Sequence, residues 1–427
     1  MNVRQVLVFP AGTEIGLEIF HALQYCKEIQ LHGAGQPISN PAQLVYPDYH
    51  PLPSIHEADW LPRLVTLCKQ LKIDYIFPAY DDAIIALHEV AEQLPAVIVG
   101  ASAEVCSLTR LKSSTYARLR DTVAVPRVFR HADEVTGFPV FVKPDRGQGS
   151  QGVARCDDAG ALHRACAALP DPLICQYLPG EEFTVDCFSD RERGLLYASA
   201  RRRLRIRNGI AVNSVTEELP QAQAMAARIS DELNMRGAWF FQVKRAADGA
   251  LTLLEVAPRI AGSMSTNRVR GVNFPLLSLY EQERAPLGIL AYEGCVEVDR
   301  ALGNRYRHDV QYATLYVDLD DTLIFRDQVN TQVVSLVYRA LNLKRKVKLI
   351  TRHRHDLDAT LARHRLAGLF DEIIHITDGT PKSAFIRESD AILVDDSYAE
   401  RLEVSRSRGI HTFDCSMIDM LLSSPDQ

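Results

Sequence analysis

Apolar positions along this chain follow two rhythms, and the places where one gives way to the other divide it into parts. Val6–Phe9 is a short β-branched and aromatic run of strand length, and Pro10-Ala-Gly-Thr-Glu-Ile-Gly16 reads as a turn into a helix reaching about Cys26. Helical spacing returns over Asp59–Leu71, a strand follows at Asp74–Phe77, Pro78–Asp82 opens another amphipathic helix, and Ala96–Val99 adds a strand that ends at Gly100. This alternation predicts a small parallel-sheet domain over residues 1–109. From about Leu111 strands dominate, at Val140–Lys143, Val153–Cys156, Phe183–Phe188, Leu195–Ser199, Trp239–Val243 and Leu251–Val256, so residues 110–285 read as an α+β domain with antiparallel sheets. Residues 286–310 fall in a stretch of charge, Gly and Pro without periodicity and read as a linker. Ala313–Val317 then starts a new strand, and strands and helices alternate to Phe413, giving a separate α/β domain over 311–427. The fold class is α/β and α+β, multidomain.

Length agrees with that partition, since 427 residues at about 150 per domain make roughly three. With 47% hydrophobic and 24% charged residues the chain is too apolar to be disordered. A net charge of −6 supplies no overall field for a nucleic acid or an anionic membrane, so any anionic ligand must meet a local basic site. The nine cysteines, spread from Cys26 to Cys415, form no Cys-x-x-Cys pair and read as reduced thiols. MNVRQVLVFP passes straight into a strand-like run instead of a signal-peptide core, and no run reaches the roughly 18–20 apolar residues of a membrane span. The expectation is a soluble cytoplasmic protein with neither nucleic acid nor membrane as a partner; oligomeric state stays open.

Residues 147–152 match Gly-x-Gly-x-x-Gly, yet a dinucleotide site needs a helix after the glycines, and Val153–Cys156 reads as a strand. A hairpin flap is the better reading. Glycines in a flap let backbone N–H groups close over phosphates, and Lys143, four residues before the first glycine, would bring an ammonium to them. On the loop alone the alternative is an exposed glycine hairpin with a surface lysine. The P-loop pattern and the protein-kinase motifs are absent from the sequence.

Further motifs follow in order: Lys112 in Leu-Lys-Ser-Ser-Thr-Tyr, Val-Lys143-Pro, the glycines, Ile-Cys-Gln176-Tyr-Leu178-Pro-Gly-Glu-Glu182-Phe-Thr-Val-Asp186, and Leu-Glu255-Val-Ala-Pro-Arg259. With them the chain from Val6 to about Leu279 resembles carbamoyl-phosphate-synthase-like ATP-grasp ligases. The resemblance implies a pre-ATP-grasp Rossmann-like domain, then an ATP-grasp domain with a flexible lid at about 120–180. It also implies roles. Lys112 and Lys143 would hold ATP phosphates beneath a flap of Gly149, Ser150, Gln151 and Gly152; Gln176, Tyr177 and Leu178 would meet the adenine and Glu182 the ribose. Gln242 and Glu255 would hold Mg2+, and Arg259 the transferring phosphate or a substrate carboxylate. Ala257 stands where the family usually has an Asn that helps hold a second metal, which puts two-metal binding in doubt. The bland reading of Glu255 and Arg259 is an ion pair at a strand end.

Arg201, Arg203, Arg205 and Arg207 alternate, so a regular strand would present all four on one face. Such a face suits ATP phosphates or an anionic, phosphorylated substrate; the alternatives are a solvated strand or an RNA-facing patch, the latter disfavoured because no aromatic platform accompanies it.

Tyr-Val-Asp318-Leu-Asp320-Asp321-Thr-Leu sets three carboxylates after an apolar strand, and clustered acids call for a cation. With Thr351 ending Val347–Ile350, Lys382 after Thr-Pro, and Asp395-Asp396 ending Ala391–Val394, residues 313–414 resemble the haloacid-dehalogenase-like (HAD) phosphatases. The resemblance implies that Asp318 attacks phosphorus, Asp320 is general acid and base, Thr351 and Lys382 bind phosphate, and Asp395 joins Asp318 and Asp320 around Mg2+, supported by Asp396. Intervals of 351 − 318 = 33 and 382 − 351 = 31 residues leave no room for an inserted cap domain, so a capless, open Rossmannoid site is expected. His353 and His355 lack further ligands at metal spacing. The resulting expectation is a bifunctional enzyme. One half is an ATP-dependent carboxylate–amine ligase working through an acyl phosphate, on small molecules such as amino acids. The other is a Mg2+-dependent phosphomonoesterase. The alternatives are a phosphatase whose ATP-grasp half binds without ligating, and a non-catalytic nucleotide sensor.

Overall fold

In the computed structural model, which describes residues 3–147, 149, 151–301, 303, 306 and 308–423, the chain divides into two compact units, Met1–Leu302 and Gly303–Gln427. The first unit opens with a five-stranded sheet. Its central strand, Arg4–Phe9, pairs in parallel with Ile29–Gly35 on one side and Tyr75–Pro78 on the other, and Tyr49–Pro51 and Val97–Ile98 form the edges. Val6, Leu7 and Val8 are fully buried because helices cover both faces of a parallel sheet, which is why the strand reads as a continuous apolar run. Thr13 caps the helix Glu14–Leu23 by accepting from the Gly16 N–H at 3.0 Å, so the chain leaves the strand by an abrupt turn at the sheet's carboxyl end. Neighbouring strands depart to opposite sides there, making it the switch point where ligands of open α/β sheets sit.

Next comes a six-stranded antiparallel sheet ordered Leu251–Ala257, Gly237–Arg245, Glu182–Asp190, Gly194–Arg207, Ile210–Glu217 and Glu297–Asp299. The last of these lies within the stretch read as linker. Helix Pro220–Leu233 packs on this sheet over Trp239, Phe183 and Phe241, all fully buried. Trp239 stacks on Phe241 with centroids 5.8 Å apart and donates to Ser189 Oγ at 2.9 Å; truncating such a residue to alanine costs about 3–5 kcal/mol. A smaller four-stranded sheet, ordered Val128–Phe129, Pro172–Gln176, Val140–Pro144 and Ala154–Cys156, carries helix Ala159–Ala167. Val140 faces Cys156 across an antiparallel pair, so the glycines join two strands of a hairpin.

The second unit is a five-stranded parallel sheet ordered Glu372–His375, Lys346–Thr351, Thr314–Val317, Ala391–Val394 and His411–Phe413. Its first strand is central and fully sequestered, and helices Thr331–Asn342, Leu357–Arg363, Tyr398–Arg408 and Ile418–Ser423 complete it. Between residues 318 and 382 the only sheet besides the main one is the hairpin Ile324–Phe325 with Gln328–Val329. Among the described residues no helix is long and apolar enough to cross a membrane.

Candidate active sites

A cavity of about 740 Å³ in the first unit gathers residues from segments far apart in the sequence. Lys112, Gly149, Gln151, Gln242, Glu255 and Arg259 all line it, together with Arg201, Arg203 and Asp81. Sheet register explains part of this. Gln242 and Glu255 face each other on adjacent strands, so a neutral amide oxygen and a carboxylate point to one side. Lys112, the first residue of helix Lys112–Leu119, donates to Gly147 O at 3.3 Å and Asp145 O at 3.4 Å, tying the helix to the base of the flap. Gly149 at the flap tip touches the turn after Arg207: a Cβ on Gly209 would lie 2.2 Å from the Gly149 carbonyl carbon, so only glycine fits there. Ser150 lies outside the described residues.

Six expected residues stand apart from the cavity lining: Lys143, Gly152, Gln176, Tyr177, Leu178 and Glu182. Lys143 is buried; its Nζ donates to Tyr116 Oη at 2.6 Å and lies 5.1 Å from that ring's centre. Burial pushes its pKa below the usual lysine range. Gln176 exchanges hydrogen bonds with Arg127, Tyr177 carries the Arg155 guanidinium 4.7 Å from its ring centre, and Leu178 is core. Glu182 pairs with Arg203.

The four alternating arginines do not share one environment, which corrects the one-face expectation. Register shifts between Arg203 and Arg205 and between Arg205 and Ile206 interrupt the alternation. Arg201 and Arg203 turn into the cavity, whereas Arg205 meets Asp299 with more than half of each side chain exposed, and Arg207 is exposed. The inner two already have carboxylate partners. Arg201 donates to both oxygens of buried Asp186, at 2.8 and 3.3 Å, and to Ser263 Oγ at 2.7 Å, leaving its Nη1 buried without a partner. Arg203 pairs with Glu182 and donates to Gln242 Oε1 at 3.0 Å and Gly209 O at 2.7 Å.

Arg259 is likewise answered. It forks onto Asp81, the first residue of helix Asp81–Glu89, with Nη2 donating to Oδ2 at 3.0 Å, and lies over the Phe240 ring. Burial alone would raise the Asp81 carboxyl, but the guanidinium beside it more than offsets this and holds it below the usual range. Sequence reasoning missed Asp81, although two acids at a helix start just after Pro78 marked a place for a cation. A second cavity of about 360 Å³ opens at the sheet's switch point, and Thr13 and Tyr80 line both cavities.

In the second unit the strand ends converge. Val317 stands level with Leu349 and with Val394, which places Asp318, Thr351 and Asp395 at neighbouring carboxyl ends. Lys382, 2% exposed, donates to Asp318 Oδ1 at 2.8 Å and Asp395 Oδ2 at 2.6 Å. Oxygens of Asp318, Asp395 and Asp396 lie within 4.8 Å of one another. Burial pushes the Asp318 carboxyl up to about 7; Asp395 adds to this and Lys382 opposes it. The Asp320 carboxylate turns elsewhere, to His353 Nδ1 at 2.8 and 3.0 Å, while His353 Nε2 meets Thr360 Oγ1 at 2.9 Å. That contact follows from the two-residue step past Thr351 and could not be read from spacing alone.

Residues 168–290 match the family model described as "ATP-grasp in the biosynthetic pathway with Ter operon". D-alanine–D-alanine ligase of Fusobacterium nucleatum is 31% identical over 74 residues, 17% of this chain and 26% of that one, so the match spans about a quarter of the curated relative. The biotin carboxylase domain of Hydrogenobacter thermophilus 2-oxoglutarate carboxylase, solved with MgADP, superposes with a TM-score of 0.60 at 15% identity over 70% of this chain and 74% of that one. An L-amino acid ligase from Bacillus licheniformis gives 0.52 at 18% identity, over 65% and 74%. The fold is thus a multidomain α/β one of ATP-grasp type.

Proposed function

We propose that the first unit is an ATP-dependent carboxylate–amine ligase and the second a Mg2+-dependent phosphomonoesterase of HAD type. One observation carries the ligase reading: Lys112, Gln151, Gln242, Glu255 and Arg259, far apart in sequence, border one cavity. A substrate carboxylate oxygen attacks the γ-phosphorus of ATP and ADP leaves; an amine then attacks the acyl carbon and inorganic phosphate leaves. Lys112 and the flap would hold the phosphates, and Arg259 the carboxylate. Gln242 and Glu255 present two oxygens, a donor set that fits a hard cation sharing phosphate oxygens and water. Mg2+ bound there would neutralise the phosphate charge. Ala257, buried beside Glu255, offers no further ligand, which supports one metal. The relatives named as ligases of D-alanine and of L-amino acids support amino acids as the substrate class.

For the second unit the support is the Lys382 bridge with the three-acid cluster, a donor set of oxygens that suits Mg2+. Asp318 would attack the phosphate ester as Asp320 gives its proton to the departing alcohol; water then attacks the aspartyl phosphate as Asp320 takes a proton back. Mg2+ would let an anionic carboxylate approach an anionic phosphate. Thr360 Oγ1 donates to Asp356 O at 2.8 Å and so accepts from His353 Nε2–H, which leaves His353 Nδ1 facing the Asp320 carboxylate and orienting it.

The deciding experiment is ADP formation by an Asp318→Asn variant with Mg2+, ATP and pooled amino acids and small carboxylic acids. ADP that appears only with a particular pair establishes the ligase and names its substrates. The second reading, a phosphatase with a nucleotide-binding but non-ligating partner unit, is favoured by Ala257 and by the Asp81 clasp on Arg259, and predicts saturable ATP binding without ADP.

A further inference from the structure

The outer part of the N-terminal parallel sheet holds a cluster that neither candidate site uses. His32 lies in the strand Ile29–Gly35, and Asp48 and His50 flank Tyr49 at the start of the adjoining edge strand Tyr49–Pro51. Asp48 Oδ2 is 2.5 Å from His32 Nδ1, and Asp48 Oδ1 is 2.9 Å from His50 Nε2. His32 is 4% exposed, and its other nitrogen lies 2.9 Å from Gln5 Oε1. His50 Nε2 is buried, and despite its distance to Asp48 it makes no hydrogen bond.

Ligand-type atoms converge at this spot. Gln5 Oε1 only accepts, so His32 Nε2 donates to it, and Nδ1 is the nitrogen turned to Asp48. His50 Nε2 adds a third such atom, buried and without a hydrogen bond. All three offered atoms lie within 4.8 Å of one another. We propose that His32, Asp48 and His50 form a structural site for a first-row divalent cation such as Zn2+, with water in the remaining position.

Two imidazole nitrogens and one carboxylate suit such an ion and not Mg2+, which prefers oxygen throughout. Gln5 supplies the outer hydrogen bond that a ligating histidine ordinarily makes through its second nitrogen. Tetrahedral bonds of about 2.0–2.1 Å hold ligand atoms about 3.3 Å apart, so Asp48 must draw back from His32 by about 0.8 Å. Its side chain, 39% exposed, has room to do so. His32 stands level with Leu7 of the central strand and His50 level with Ala34, so the ion would lie toward the outer edge of the sheet. It would pin a three-residue edge strand. Tyr49, between the two ligands, donates to Gln36 O at 3.1 Å and accepts from Asn40 at 3.2 Å, and all three residues wall the 360 Å³ cavity.

The test uses the full chain, stripped of metal by a chelator and titrated with ZnCl2, CoCl2 or MgCl2, alongside Asp48→Asn and His50→Gln variants checked for folding by circular dichroism. The expected result is one equivalent of Zn2+, beyond any held by the carboxylate sites, that Mg2+ does not displace and whose affinity falls at least about tenfold in each variant. Co2+ should give visible d–d bands without a thiolate charge-transfer band, because no cysteine takes part. No saturable Zn2+ binding, an affinity in either variant equal to that of the parent chain, or a thiolate band would each overturn the proposal.

Discussion

The two candidate sites hold charge in opposite ways. In the first unit the inward arginines are already matched, Arg259 by Asp81, Arg203 by Glu182 and Arg201 by Asp186, while Lys112 meets backbone carbonyls. In the second, the carboxylates of Asp318, Asp395 and Asp396 face the single ammonium of Lys382, an excess that a further cation or a proton on Asp318 settles. An anion can enter the first site at Lys112, at the unpartnered Arg201 Nη1 or by exchanging with a resident carboxylate, whereas a metal can enter the second by filling a deficit. The contrast suits the proposed reading, in which one unit chooses among organic acids and the other takes up a metal before phosphate.

The largest effect that sharpens this contrast is Asp318→Asn, which should lower phosphomonoesterase turnover by at least about 10³-fold while leaving ADP formation unchanged. Loss of both in steady-state assays would break the separation between the sites. Arg259→Ala should lower kcat/KM for ADP formation by about 10²–10³-fold and, by leaving Asp81 unanswered, cost about 2 kcal/mol in urea unfolding. A variant as active as the parent would show that Arg259 is a strut for the helix at Asp81. Metal binding in the second unit should follow pH. With its pKa near 7, Asp318 is protonated below that pH and ionised above it, and magnesium binds the ionised form. Apparent Mg2+ affinity measured by calorimetry should therefore fall toward about tenfold per pH unit below pH 7 and level off above it; a flat profile would remove Asp318 from the metal site. Smallest of all, Arg205→Ala should change stability by less than about 1 kcal/mol and leave ADP formation alone, since its pair with Asp299 is exposed.

Most strands were legible because buried parallel strands and aromatic runs announce themselves: Val6–Phe9, Trp239–Val243 and Ala391–Val394 lie inside observed strands. Residues whose side chains meet through strand register, such as Gln242 with Glu255, were legible through their motifs. What escaped depends on contacts between distant segments. Asp81 reaches Arg259 from another domain, 178 residues away, and no local pattern reports that. The bulges after Arg203 defeat a period-two reading, since one extra residue turns every later side chain to the other face. Glu297–Asp299 was missed because a three-residue polar edge strand lacks the apolar signal by which strands are recognised, and Ile210–Glu217 because Asn213, Ser214, Thr216 and Glu217 interrupt its apolar run.

The meeting of Gly149 with Gly209 couples two loops of the first site. Loops that rest backbone against backbone hinder one another's motion, so opening the cavity there would part both together. Turnover in this unit would then be clocked by a gate with two leaves and no side chain for a hinge pin. A methyl group added at Gly209 would act as a doorstop, holding the leaves ajar and letting water in with the substrate.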